Sequence, residues 1–406
     1  MLKRLKKLSI NFLLLSLSLI IAVLIAEVIL RFTPYRYLFV SYVGSYVCAD
    51  KNSGYDICDN HPPVKLRGAE YDWTIWSNEL GCFDRSYEGE KNYILLVGDS
   101  YTFGHNAFEN KYGMLLEKYL DYRVLKCGVG GYGTIQEFYK IKKVLQKTGT
   151  TPQLIVVGYW MGDDLRNDLD CLQKGIKLPQ EVYQPLINIE EINGLFKPAH
   201  SLHEPSRSLR INTKDWIKNH SLLYYLFNKN IFVRAMAEKF GFINYSFQYL
   251  SFLPVDKNPW LEKSWRFHLV HLREIKKLAD TYKCRLLIIL LPADIQVYNF
   301  LQPKEVYDIE QPNRILRNFF QKEGIDYLDL TGFFRMYANQ KPRMYLDSKG
   351  ELFLNHDRHF TKKGEKLTAL IIAQYIAEHD LLEIQNKIPK KINIEKELYN
   401  LRTNHK

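Results

Sequence analysis

The most prominent hydrophobic feature of this chain is one long apolar run near its start. Residues 10–30 form a nearly continuous apolar stretch that follows Lys3, Arg4, Lys6 and Lys7. About 20 apolar residues can cross a bilayer as a helix, and a basic flank stays on the cytoplasmic side. We therefore expect a transmembrane signal anchor at 1–32 and an extracytoplasmic remainder. A cleaved signal peptide is the alternative, but its cleavage site needs small residues, and Leu24 with Ala26 is a poor match.

Beyond that run, short apolar segments alternate with longer stretches of helical periodicity. Short apolar runs predict buried strands, and the amphipathic stretches between them predict helices that cover a sheet. The alternation indicates an α/β domain, a three-layer α/β/α arrangement with a parallel five-stranded sheet. The predicted strands are 93–97, 123–125, 154–157, 286–291 and 327–330, and the predicted helices are 111–120, 135–147, 262–281, 313–322 and 362–378.

The spacing of these elements divides the chain. Well over 100 residues separate the third and fourth predicted strands, too many for a simple loop. We predict a helical insertion at about 175–262 within a domain at 91–385. Residues 33–90 show little periodicity and are predicted as a juxtamembrane lead-in, whose first tyrosines suit the membrane interface. The basic segment 386–406 is predicted as a solvated tail.

A hydroxyl-bearing turn directly follows the first predicted strand. Gly98 permits a sharp exit from the sheet, and Ser100 then lies where open α/β sheets bind ligands. Serine needs a base and a third group that orients the base. Asp357 and His359 can supply both from a loop before the last helix. The alternatives are that Ser100 only caps a helix and that His359 is an ordinary surface histidine.

Together these segments resemble the SGNH, or GDSL-type, hydrolase superfamily in its membrane-anchored bacterial form. The resemblance implies a flavodoxin-like SGNH hydrolase fold and a catalytic triad of Ser100, His359 and Asp357. It also implies an oxyanion hole formed by the N–H groups of Ser100 and Gly131. The blocks that carry the resemblance are, in chain order, 98–100, 126–137, 158–168 and 357–359.

Two positions depart from the family pattern. Asp163 follows Gly162 where the family has an oxyanion-hole asparagine, and Lys126 replaces an asparagine at the start of the second block. An ionised carboxylate would repel the developing oxyanion. Three outcomes stay open: burial keeps Asp163 protonated, Asn167 substitutes as the donor, or backbone donors act alone.

A different motif overlaps the second block. Gly128, Gly130 and Gly133 spell G-x-G-x-x-G after a short strand and before a helix, the context of a dinucleotide site. This reading leaves the serine, aspartate and histidine unexplained. A tight glycine loop beside an oxyanion explains the same residues.

The resemblance implies a serine esterase or acylhydrolase that forms an acyl-enzyme on O-acyl groups of a carbohydrate or lipid. A polysaccharide O-acetyltransferase with the same triad and a retired, membrane-tethered binding protein are the alternatives. No cofactor or metal is expected, because the six cysteines lack metal-type spacing, although Cys48 and Cys58 are candidates for a disulfide. The net charge of +11 suits anionic lipid headgroups or an acidic glycan, and export argues against nucleic acid. Oligomeric state stays open.

Overall fold

The computed structural model describes residues 2–33, 46–67, 70–183, 221–229, 259–298, 308–338, 351–355, 357–385 and 387–403. Helix α1 (Leu2–Arg31) contains the apolar stretch Ile10–Arg31, none of which is buried by the protein. Its length and composition fit a membrane anchor and a signal sequence equally well. The tyrosines just past the anchor and most of the predicted insertion lie outside the described residues.

A five-stranded parallel sheet forms the centre of the domain. Four short strands precede it: β1 (Val47–Asp50), β2 (Gly54–Ile57), β3 (Val64–Arg67) and β4 (Asp72–Ile75). The sheet itself contains β5 (Ile94–Gly98), β6 (Val124–Lys126), β7 (Leu154–Trp160), β8 (Arg285–Leu291) and β9 (Asp326–Asp329). Their order is β6-β5-β7-β8-β9, and every neighbouring pair is parallel. This is the flavodoxin-like order 2-1-3-4-5, so the predicted fold class is confirmed.

Helices cover both faces of the sheet. The helices after α1 are α2 (Ser100–Phe103), α3 (Tyr112–Leu120), α4 (Thr134–Thr148), α5 (Asp164–Gln173), α6 (Leu222–Lys229), α7 (Pro259–Thr281), α8 (Asp294–Val297), α9 (Gln311–Glu323), α10 (Thr331–Tyr337), α11 (Lys362–Glu378) and α12 (Lys387–Thr403). Leu95 and Val97 pack on the side of α4, α5, α7 and α9. Ile94 and Leu96 pack on the side of α3, α10 and α11. Both faces of each strand are therefore buried, which is why the strands read as continuous apolar runs.

The lead-in forms two antiparallel hairpins, β1-β2 and β3-β4, and not an unstructured spacer. The predicted disulfide Cys48–Cys58 closes the first hairpin. A second disulfide, Cys82–Cys127, joins the lead-in to the residue after β6, and the sequence did not predict it. Aromatic side chains from the hairpins and the glycine loop form a third apolar core. The lead-in is consequently part of the folded domain.

The predicted solvated tail is wrong for residues 387–403, which form α12. Ile394 is buried, and Leu398 and Leu401 pack against the same core as α3 and α11. Lys390 Nζ donates a hydrogen bond to the Leu120 carbonyl at 2.9 Å. These apolar residues recur at helical spacing, and that periodicity outweighs the basic composition on which the prediction rested.

Candidate active site

Ser100 is the first residue of α2, directly beyond the carboxyl end of β5. The helix is capped by Asp99, whose carboxylate accepts a hydrogen bond from the Tyr101 N–H at 2.8 Å. The alternative that Ser100 serves as the N-cap is therefore wrong. A Cβ on Gly98 would lie 2.0 Å from Thr102 Oγ1, so only glycine fits this turn. Ser100 is partly exposed, and its hydroxyl makes no hydrogen bond with any described residue.

The aspartate and the histidine lie in one tight loop. The Leu354 N–H donates to the His359 carbonyl at 2.8 Å, and the Arg358 N–H donates to the Leu354 carbonyl at 3.1 Å. Within this loop His359 Nδ1 is hydrogen-bonded to Asp357 Oδ1. Thr361 caps α11 through its hydroxyl, which accepts from the Gly364 N–H at 3.2 Å. The loop thus presents a carboxylate and imidazole pair at the start of the last sheet-covering helix.

The residues on both sides of Ser100 reach this loop. The ring of Tyr101 lies 4.8 Å from the ring of His359, and its hydroxyl donates to the Arg358 carbonyl at 2.8 Å. Asp99 is close enough to His359 for their charges to interact. His359 Nε2 is buried and makes no hydrogen bond within the described part of the chain. Catalytic hydrogen bonds are often long before substrate binds.

In the Asp357–His359 pair the carboxyl is ionised and supports a positive charge on the imidazole, as a general base requires. Burial alone would raise the pKa of Asp357, but His105 and His359 hold it well below its usual range. Burial opposes charge on His359, yet Asp357 raises the pKa of the imidazole above its usual value. The imidazole is therefore mostly neutral, and able to accept a proton, only at a pH above about 6.5, the pKa of an ordinary histidine.

A second histidine, His105, shares the same carboxylate. Its ring stacks on His359 with centroids 3.8 Å apart and planes at 13°, and its Nδ1 lies 3.2 Å from Asp357 Oδ1. Burial and the neighbouring His359 lower the pKa of His105. Sequence reasoning missed this residue, because a histidine five positions after the serine carries no local signal for a contact with residue 357.

Among the described residues, two histidine and carboxylate clusters have spacing that would admit a metal ion. They are His105, Asp357 and His359, and the fully buried Asp168, His268 and His271. In the second cluster both Nδ1 atoms lie 2.7 Å from Asp168 Oδ2, and the Nε2 atoms are bonded to Tyr159 and Tyr183. Hydrogen bonds account for the ring nitrogens of this buried network without an ion.

The glycine loop lies beside Ser100. A Cβ on Gly130 would be 4.0 Å from Ser100 Cβ, and Gly131 has a φ of +77°. The Tyr55 hydroxyl donates to the Gly130 carbonyl at 2.9 Å, which holds the loop from the first hairpin. The N–H groups of Gly130 and Gly131 make no hydrogen bond with another described residue. Gly130 joins the predicted Gly131 as a candidate oxyanion donor.

Asp163 is the residue before α5, and its side chain is mostly buried. Oδ2 lies 3.1 Å from Arg166, while Oδ1 is buried without a partner among the described residues. Burial raises the pKa of Asp163 to about 6. Asn167 uses one amide hydrogen to donate to the Tyr132 carbonyl at 2.9 Å. The other amide hydrogen remains for a ligand.

The remaining features of the second block have internal explanations. Lys126 Nζ lies 2.8 Å from Glu117 and 3.2 Å from Asp84, so its charge is engaged in an ion-pair network. A Cβ on Gly128 would lie 2.6 Å from the Phe103 nitrogen, and one on Gly133 would lie 2.5 Å from Asp168 Oδ1. The dinucleotide motif therefore reflects close packing of protein on protein at these two positions.

Comparisons with known proteins add no independent argument about activity. No protein-family model matches this chain, and no curated protein matches it. Among solved structures it is similar to a protein of a G-D-S-L lipolytic family from Desulfitobacterium hafniense DCB-2, with 13% identity over 70% of this chain and 98% of that chain and a TM-score of 0.33. An acetyl xylan esterase gives 14% identity, coverage of 70% and 98%, and a TM-score of 0.36. A carbohydrate acetylesterase family member from Sinorhizobium meliloti gives 11% identity over 71% of this chain and 98% of that chain, with a TM-score of 0.34. These descriptions are of the kind that the sequence resemblance implied.

Proposed function

We propose that this protein is a serine esterase or acylhydrolase acting on O-acyl groups of a carbohydrate or lipid. The observation that carries the proposal is the half-buried Asp357–His359 pair, whose Nε2, unbonded to any described residue, lies beside the short helix that begins with Ser100. An orienting carboxylate and a base are the groups that a serine nucleophile needs.

In this mechanism His359 Nε2 takes the proton of Ser100 Oγ as the oxygen bonds to the ester carbonyl. The N–H groups of Ser100, Gly130 and Gly131 stabilise the oxyanion. His359 then returns the proton to the leaving alcohol, and the acyl group stays on Ser100. Water, activated by the same imidazole, releases the acid. Acyl transfer to a second hydroxyl shares every step up to the acyl-enzyme, so the proposal covers the ester-cleaving half of either reaction.

The hypothesis of a retired scaffold rested on Lys126 and Asp163. The charge of Lys126 is neutralised by Glu117 and Asp84, so this residue gives the hypothesis no support. Asp163 alone still supports that hypothesis, and it removes one donor without disturbing the Asp357–His359 pair. A missing donor costs about 10² to 10³ in turnover, which leaves a slow enzyme and not an inert one.

A fluorophosphonate probe tests the nucleophile directly, because such probes label only activated serines. We expect the full chain in detergent to be labelled at Ser100, located by peptide mass. Ser100→Ala should abolish labelling, whereas Ser86→Ala, which removes an exposed hydroxyl elsewhere, should not. An unlabelled native chain would reject the proposed nucleophile.

Asp163→Asn should raise activity. The imidazole is neutral only above its raised pKa, and at that pH Asp163, with a pKa of about 6, is ionised in most molecules. The substitution removes a charge that opposes the oxyanion and supplies an amide donor. We expect kcat for 4-nitrophenyl acetate at pH 8 to rise by about 10-fold to 100-fold, and Asp121→Asn, an exposed control, to have no effect. A kcat that stays the same or falls would show instead that the Asp163 carboxylate does not oppose the oxyanion.

We propose that α1 is a retained anchor and that the domain lies on the extracytoplasmic side. Glu27 accepts hydrogen bonds from Ser221 Oγ at 2.9 Å and from the N–H groups of Leu222 and Leu223 at 2.7 and 3.0 Å. It thereby caps α6, and cleavage would remove that cap. The two disulfides favour an oxidising compartment. Carbonate-washed membranes should contain the intact chain beginning at its first residues; a shorter, soluble chain would contradict the anchor.

A further inference from the structure

A cleft of about 620 Å³ opens at the glycine loop, and nothing in the proposed mechanism uses it. Gly131 and Asn167, two residues of the candidate oxyanion site, are part of its lining, so the cleft adjoins that site. Its walls come from the first hairpin, from α4, from α5 and from the turn that follows α5. The hairpin is held in place by the Cys48–Cys58 disulfide and by the hydrogen bond from Tyr55 to the glycine loop. The cleft is therefore built on a fixed frame.

The charge on the cleft walls is positive. Lys51, Lys174 and Lys177 line the cleft, and all three are exposed. Their ammonium groups make no ion pair or hydrogen bond with the part of the chain that the structure describes. Asp170 is the acidic residue in the lining, and burial raises the pKa of its carboxyl. A surface that gathers unneutralised charge of one sign in a concavity attracts ligands of the other sign.

Lysines on the adjacent surface behave differently. Lys140 and Lys143 both pair with Asp56 at 2.8 Å, and Lys147 pairs with Asp59. The lysines beside the cleft are thus held in ion pairs with acidic residues, whereas among the three lining lysines only Lys174 has an acidic neighbour, Asp170, and it forms no ion pair with it. That contrast separates the cleft from an ordinary solvated basic surface.

The cleft is also lined by tyrosine side chains, which combine an apolar ring with a polar hydroxyl. Tyr55 and Tyr139 are half-buried in the lining, and their hydroxyls are bonded to the Gly130 and Lys177 carbonyls. Rings held in this way present a fixed flat face with a polar edge. Binding sites for polar ligands typically combine such faces with a few oriented polar groups. A sugar ring has matching apolar and hydroxyl-bearing sides.

We propose that this cleft binds an anionic oligosaccharide whose O-acyl group is the ester presented to Ser100. Carboxylate or phosphate groups along the oligosaccharide pair with Lys51, Lys174 and Lys177 while sugar rings lie against the tyrosines. That the oligosaccharide is a substrate rests on the proposed esterase function. Its binding in the cleft does not. It narrows the substrate class from any carbohydrate or lipid ester to an acidic glycan.

Equilibrium binding tests the cleft without any reaction. The full chain in detergent is titrated with an unacylated oligogalacturonate, its neutral methyl ester, and an oligomer of phosphodiester-linked sugars. We expect each anionic oligomer to bind about 10-fold or more tightly than the neutral one at low salt, and the preference to shrink in 0.5 M salt. Whichever anionic oligomer binds more tightly identifies carboxylate or phosphate as the natural group. Equal affinity for the neutral and anionic oligomers would overturn the proposal.

The lysines are tested together with a matched control. Changing Lys51, Lys174 and Lys177 to Gln should weaken binding of the anionic oligomer by about 100-fold, since each cation near a dense anionic ligand contributes roughly a factor of five. Changing Lys91, Lys118 and Lys322, three exposed lysines that do not line the cleft, removes equal charge and should leave the affinity unchanged. Equal weakening by both triple variants would show a net-charge effect only and would reject the site.

Hydrolysis then links the cleft to the serine. Native chain should give a higher kcat/KM for an O-acetylated oligogalacturonate than for an O-acetylated xylo-oligosaccharide, and the cleft variant should lose that ratio. If no ester is cleaved while the anionic oligomer still binds through the three lysines, the esterase proposal fails and the cleft stands. If both acetylated sugars are cleaved equally well, the enzyme stands and the cleft is rejected as its substrate site.

Discussion

Ser100→Ala should lower kcat/KM for 4-nitrophenyl acetate by about 10⁴-fold to 10⁶-fold, the range seen when a triad serine is removed. Ala lacks the oxygen that forms the acyl-enzyme, so only stabilisation by the backbone donors remains. The folded state should scarcely change, because the Ser100 hydroxyl is bonded to no described residue and Asp99 caps the helix. Alanine also has the highest intrinsic helix propensity.

The measurement is initial-rate hydrolysis with a thermal unfolding curve for each variant. Ser86→Ala controls for loss of a hydroxyl, and we expect it to match the native chain in both assays. A melting temperature within about 2 °C of the native value would show that the loss of rate is chemical. Native-like turnover by Ser100→Ala would place the nucleophile elsewhere and remove the basis of the proposed mechanism.

Asp357→Asn should lower kcat by about 10⁴-fold, because an amide can donate to Nδ1 and hold the imidazole in the wrong tautomer. It should also move the acid limb of the pH profile. The charge on Asp357 raises the pKa of His359, so losing it lowers that pKa, and the remaining activity should persist to lower pH than in the native enzyme. The profile of kcat/KM from pH 5 to 9 measures both effects.

The two stacked histidines provide the matched control for this prediction. His359→Asn removes the base and should be as damaging as Asp357→Asn. His105→Asn keeps a hydrogen-bond donor near Asp357 Oδ1 and should cost less than about 10-fold. If His105→Asn proved to be the inactive variant and His359→Asn retained turnover, the roles of the two rings would be exchanged.

The sheet was predictable because local periodicity carries the information. Every predicted sheet strand begins within one residue of an observed one, and the last predicted helix has the observed bounds Lys362–Glu378. Strands buried on both faces must be apolar throughout, and helices that cover them must be apolar on one side. The C-terminal helix carries the same signal at Ile394, Leu398 and Leu401, and there the basic composition obscured it.

The lead-in was not predictable in the same way, because its strands are only four residues long and are stabilised by distant partners. Tyr55 holds the Gly130 carbonyl, and Glu70 accepts from the N–H groups of Asn355 and Asp357 at 2.8 and 3.2 Å. The contact between Glu70 and Asn355 joins residues 285 positions apart. No local pattern encodes a contact of that separation.

Sequence alone determined the order of strands and helices, the apolar helix at the start, and Ser100, Asp357 and His359 as the residues to examine, because periodicity and short motifs are local properties of the chain. Tertiary structure alone decided that His105 stacks on His359 beside Asp357, and that Lys126 pairs with Glu117. It also decided that the first hairpin forms one wall of a basic cleft. Those contacts depend on how the sheet and the lead-in pack, and packing brings together side chains whose separation along the chain carries no signal.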